Sequence, residues 1–101
     1  MKTKQFNIEI SEEAEIDFDK SYEYYFEGSI KVADTFFRTI NYSLENIRQN
    51  PFSFPIVYKI IRKYLVKKFP FVIYYQIEDS TIKVIAIFHT SRNPEIWNER
   101  I

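Results

Sequence analysis

The side chains best able to do chemistry in this chain gather in its second half. Lys59, Arg62, Lys63, Lys67 and Lys68 fall within ten positions, and the segment after them ends on His89-Thr90-Ser91-Arg92. Ammonium and guanidinium groups can neutralise a phosphate or a carboxylate. A histidine, with an unperturbed pKa of about 6.5, can pass a proton. Each also has a structural reading. By strand alternation Arg62 shares a face with Ile60, Tyr64 and Val66, where a charge is costly unless an anion or acceptor pairs with it. It either forms an internal salt bridge to a helix acid or offers its charge to a ligand. The lysines either contact a partner or solvate a strand edge and block edge-to-edge aggregation. His89, the only histidine, has no neighbouring acid in sequence, so a hydrogen-bonded structural role competes with a role as general base.

Several chemistries are excluded at once. Cysteine is absent, and one histidine cannot build a multi-histidine centre, so no metal is expected. With a single glycine there is no Gly-rich phosphate loop, and no G-x-S-x-G nucleophile motif occurs; no cofactor is expected. No apolar run reaches the roughly 20 residues that span a bilayer. The start, MKTKQFNIEI, has no signal-peptide h-region. A soluble protein of the cytoplasm, with no membrane partner, is the expectation. The net charge of zero conceals a dipole: residues 1–50 carry ten acids and six bases, residues 51–101 four acids and eight bases. A molecule so divided can show a basic face to an acidic partner without binding polyanions in general.

The elements that position these groups follow from periodicity. Phe6, Ile8 and Ile10 alternate with Asn7 and Glu9 as in a half-buried strand. Ser11, followed by Glu12 and Glu13, reads as a helix N-cap with acids at the positive end of the dipole. Ala14, Phe18, Ser21, Tyr22 and Tyr25 then share one helical face, and Gly28 is expected to end the helix as a left-handed cap. A second helix, from near Ser29 to Gln49, carries Ala33, Phe36, Phe37, Ile40, Leu44 and Ile47 on one face and stops at Asn50-Pro51. Three strands are expected at 56–66, 69–77 and 81–89, the last two joined as a hairpin by Glu78-Asp79-Ser80. Pro70 belongs at a strand entrance. Val84 to Phe88 is apolar on both faces, as in an interior strand. Asn93-Pro94-Glu95 reads as the cap and start of a short helix through Trp97. The order β-α-α-β-β-β makes residues 1–101 one α+β domain, a helical hairpin packed on a small, mainly antiparallel sheet.

The assembled pattern resembles the RelE/ParE toxin family. The resemblance rests on Ala14-x-x-Asp17-Phe18, Tyr24-Tyr25 and Ala33-x-x-Phe36 in the hairpin. It is carried further by Asn50-Pro51, Arg62, Phe69-Pro70-Phe71-x-Ile73-x-Tyr75 and His89-x-x-Arg92-Asn93-Pro94-x-x-Trp97, and it extends from about Ile8 to Trp97. It implies the toxin half of a type II toxin–antitoxin (plasmid stabilisation) module, neutralised in a hetero-oligomer by a cognate antitoxin. In this family RelE-like members cut mRNA on the ribosome with lysines, arginines and a late tyrosine, without a metal. ParE-like members are described as inhibitors of DNA gyrase with no chemistry of their own. Arg92 matches an arginine of the nucleases, but Val72 stands where they carry a second arginine and Trp97 near their tyrosine. Valine cannot stabilise a phosphorane and an indole cannot exchange a proton at neutral pH. The pI of 6.6 is also low for a ribosome ligand.

These departures favour the ParE-like reading: growth inhibition through gyrase, with target contacts at Arg62, Lys67, Lys68, His89, Arg92 and Trp97. The antitoxin is expected to dock an acidic or amphipathic segment on Phe18, Tyr22, Tyr25 and Phe36 and on the basic sheet edge. The competing reading is a ribosome-dependent mRNA endoribonuclease using Arg62, Lys63, Lys67, Lys68, His89 and Arg92. A third is a decayed toxin that retains only antitoxin binding.

Overall fold

A computed structural model describes residues 5–93 and 99–100. The chain runs β1 (Asn7–Ile10), α1 (Glu12–Gly28), α2 (Ile30–Gln49), β2 (Ile56–Tyr58), β3 (Ile61–Leu65), β4 (Phe71–Glu78) and β5 (Thr81–His89). The strands form one sheet in the order β1-β5-β4-β3-β2. β1 lies parallel to β5 and every other pairing is antiparallel. The α+β class and the helical hairpin are as expected, and β5 is interior, between β1 and β4.

The hairpin turns on one residue. The Ser11 side chain accepts from the Ala14 amide and starts α1. At the other end Ser29 caps two helices: its N–H donates to the Tyr25 carbonyl at 2.8 Å, and its hydroxyl accepts from the Val32 amide. Ser29 is extended, so no left-handed residue is needed. Gly28 is an ordinary helical residue without a positive φ, which corrects the cap expected there.

The expected strand at 56–66 is two strands. Lys59, at φ 51°, and Ile60 form a two-residue turn between β2 and β3, so the order gains a strand and the sheet has five. The β4–β5 hairpin turns at Asp79-Ser80 with Asp79 at φ 54°, a conformation that Asp tolerates. Pro70 stands immediately before β4, as its missing N–H requires.

The helices cover one face of the sheet. Ala14, Phe36, Ile40, Leu44 and Ile47 pack on Tyr64, Phe71, Ile73, Tyr75, Ile82, Val84 and Ile87. Burial of so many large groups, at about 25 cal/mol per Å² of apolar surface, is the main force holding the layers together. The opposite face holds a second buried cluster of Ile61, Val72, Tyr74, Ile85, Ala86 and Phe88. A bulge divides β5 between the two: Tyr74 opposes Ala86 and Tyr75 opposes Val84, leaving Ile85 as the extra residue. Ile85 and Ala86 therefore lie on the same face, and the alternation resumes with Ile87 toward the helices.

A buried carboxylate where β1 ends, and a candidate partner-binding site

β1 stops at Ile10, opposite Val84, because the chain turns into α1 at Ser11. β5 continues for five more residues, to His89. Among the described residues no strand covers this part of its edge, so its backbone groups need other partners. Side chains supply them. Asp17, 5% exposed, accepts from the Ile87 amide at 3.1 Å. Arg100 donates to the Ile85 carbonyl at 2.9 Å. Arg100 also grips Asp17 through both terminal nitrogens, at 2.6 and 3.0 Å, and its Nε lies 3.4 Å from Glu13. Hydrogen bonding to Asp17 raises the Arg100 pKa further, against the effect of burial. The pair continues the sheet edge in side-chain form. Sequence reasoning did not single out Asp17 or Arg100 as a pair. The signal present was a carboxylate between Ala14 and Phe18, on the buried face of α1.

Arg92 is placed beside this pair. Its guanidinium lies 4.1 Å from the centre of the Phe88 ring, with Arg100 at 4.9 Å from the same ring. It reaches Asp17 at only 3.5 Å and stays 41% exposed. The neighbouring His89 is exposed and packs edge-on to Phe71. Its Nδ1 accepts from the Ser91 amide at 3.1 Å and lies 2.8 Å from the Ser91 hydroxyl, so the neutral ring carries its proton on Nε2. His89 and Arg92 line a cleft of about 260 Å³ with Lys20, Asp17 and Arg100 of the facing elements.

The other expected cations lie apart from this cleft. Arg62 donates to the Phe52 and Phe54 carbonyls, at 3.2 and 2.6 Å, and stacks on Phe52 at 5.4 Å. It pairs with loop carbonyls, not with the helix acid that was one of its two expected partners. Lys63 and Lys67 border a cleft with Asn46, Phe54 and Tyr64, while Lys67 and Lys68 border another with Arg38, Thr39 and Tyr42 of α2. Val72 is buried on the face away from the helices, between Leu65 and Phe88.

On the hairpin, Phe18 and Tyr22 are half-buried and stack at 5.8 Å, and Tyr22 stacks on the exposed Phe26 at 6.0 Å. Tyr25 is half-buried against Phe36, Phe69 and Phe71. Phe36 is fully buried beneath these rings, so it supports the hairpin surface and does not form it. Trp97, and the helix expected to begin at Pro94, lie outside the described residues.

The sequence model of the ParE toxin of type II toxin–antitoxin systems (parDE) matches residues 8–94, nearly the whole described chain. The chain belongs to this family. Among solved structures, one titled "Chromosomal ParDE TA system from P. aeruginosa" is similar at a TM-score of 0.75, over 86% of this chain and 98% of that one. Identity across the pair is 16%, so the likeness establishes a shared fold. A search of curated proteins gives no significant match. As a ParE-family chain, the protein presents two surfaces of different character: an aromatic hairpin on the α1–α2 side and a cationic cleft at the end of β5. No described helix is long and apolar enough to cross a membrane.

Proposed function

We propose that the chain is the single-domain toxin of a type II module acting in the cytoplasm. A cognate antitoxin holds it inactive in a hetero-oligomer, and the free toxin blocks DNA gyrase by binding it, with no chemistry of its own. The observation that supports binding over catalysis is the dispersal of the cations. A metal-free nuclease needs its acid, base and phosphate-stabilising groups within about 3 Å of the same reacting atoms. Here Arg62 is engaged by loop carbonyls and Lys67 and Lys68 border clefts on α2, whereas His89 and Arg92 border a cleft on α1. The His89 nitrogen that could take a proton accepts from the Ser91 amide.

The antitoxin half of the reading is tested by expression with and without the protein encoded next to it. Toxin alone arrests growth; the pair grows normally, and the two co-purify through a tag on either chain. Growth arrest that persists beside a well-expressed neighbour refutes neutralisation by that neighbour.

A further inference from the structure

Two clefts meet at Lys20, Ser21 and His89. One continues to Asp17, Arg92 and Arg100, and the other runs over Tyr24, Tyr25 and Phe71. In the first, the acids are already engaged. Asp17 takes two bonds from Arg100 and one from the Ile87 amide, and Glu13 faces the Arg100 Nε. Arg92 is left with one long contact to Asp17, and its guanidinium rests over the Phe88 ring. Lys20 has no carboxylate within ion-pair distance among the described residues. Three groups able to donate to an anion (Arg92, Lys20 and the Nε2 of His89) thus border one continuous groove. Its other half is an aromatic floor, on which Tyr24 is 73% exposed.

We propose that this groove receives an acidic segment of a protein partner. Arg92 anchors a carboxylate, Lys20 and His89 flank it, and an apolar residue of the partner rests on Tyr24, Tyr25 and Phe71. Arg100 is a positioning residue: by filling Asp17 it keeps Arg92 from folding onto that carboxylate and leaves it available. A guanidinium already packed over a ring loses less freedom than a free one when it forms a bidentate carboxylate pair. An extended nucleic-acid strand fits less well, because Lys63, Lys67 and Lys68 border other clefts and do not continue this groove as a basic track. The inference relies on the toxin reading only to suggest that the partner is the antitoxin or the target.

An NMR titration of the free, ¹⁵N-labelled protein tests it. The probes are a capped pentapeptide with three glutamates around a tyrosine and a leucine, its all-glutamine analogue, and a ten-nucleotide single strand. The glutamate peptide is expected to shift Lys20, Ser21, His89 and the Arg92 side chain. About tenfold weaker binding is expected for the glutamine analogue and for Arg92→Ala, with a smaller loss for Lys20→Ala. Arg100→Ala is expected to move the Arg92 Nε–H resonance without ligand and to weaken the peptide as Arg92→Ala does. Shifts elsewhere, equal binding of the glutamine analogue, or tighter binding of the oligonucleotide would overturn the groove's assignment. Full peptide binding by Arg100→Ala would overturn its positioning role. Because the readout is on the free protein, it can fail while gyrase inhibition holds, and the reverse.

Discussion

Asp17→Ala is the perturbation whose consequence the structure determines most closely. The substitution strips Arg100, whose side chain is 10% exposed, of its bidentate partner and leaves the Ile87 amide without an acceptor. Removing one member of a buried ion pair costs about 3–5 kcal/mol, because the surviving charge stays desolvated. A domain of this size has roughly 5–15 kcal/mol in total, and each kcal/mol moves its melting temperature by about 4–8 °C. A fall on the order of 12–40 °C is therefore expected. Asp17→Asn, which keeps an oxygen for the Ile87 amide but loses the charge, should fall less. Urea unfolding gives the free energies, and amide exchange gives the local effect: Ile87 should lose protection in Asp17→Ala before the core strands do. The exposed Glu45–Arg48 pair is the control. Arg48 and Gln49 draw the Glu45 carboxyl down to about 2, yet Glu45→Ala should barely alter the melt because that pair lies on the solvent-facing surface of α2. A loss below about 1 kcal/mol for Asp17→Ala, with Ile87 still protected, would refute the idea that this carboxylate completes the edge of β5.

Other consequences are equally direct. Burial pushes the Tyr75 phenol up to about 12, against the pull of Arg62, while its hydroxyl donates to the Pro51 carbonyl at 2.7 Å. A folded pKa raised above the unfolded value of about 10 gives stability that is complete below pH 10 and is lost as pH rises through about 12. Tyr75→Phe should cost about 1 kcal/mol at neutral pH and flatten that alkaline decline, as followed by urea unfolding across pH 9–12. Gly28→Ala should stabilise the protein by about 0.5–1 kcal/mol, since the residue is helical and a Cβ there meets nothing within 4 Å; a loss in chemical denaturation would restore the left-handed cap. Arg62→Ala should cost about 1.5–3 kcal/mol by releasing the Phe52 and Phe54 carbonyls, with faster amide exchange confined at first to the loop after α2.

How much of this was legible in the chain depended on whether the cause was local. The apolar faces of α1 and α2, the Ser11 cap, the β4–β5 hairpin and the interior character of β5 all follow from spacing along one segment. The β2–β3 turn did not announce itself, because Lys59-Ile60 contains none of the residues that tolerate a left-handed turn at low cost. Gly28 misled for the opposite reason: it has the composition of a cap in a place where Ser29 already does the capping. The bulge at Ile85 was hidden inside an unbroken apolar run, where a change of face leaves no polar marker. For Arg62 the need for an acceptor was readable, but the acceptor is a pair of backbone carbonyls, which have no letter in a sequence. Asp17 and Arg100 are 83 residues apart, and only the early end of β1 brings them to the same strand edge.

The central claim is that this ParE-family protein acts by binding gyrase, and a supercoiling assay tests it most directly. Purified protein is added to gyrase and relaxed plasmid, alone and after incubation with the proposed antitoxin. Supercoiling should fall with rising toxin, recover with antitoxin, and persist at the same dose with Arg92→Ala, while mRNA on programmed ribosomes stays intact. Unchanged supercoiling at large toxin excess, together with mRNA cleavage that Arg92→Ala abolishes, would contradict it.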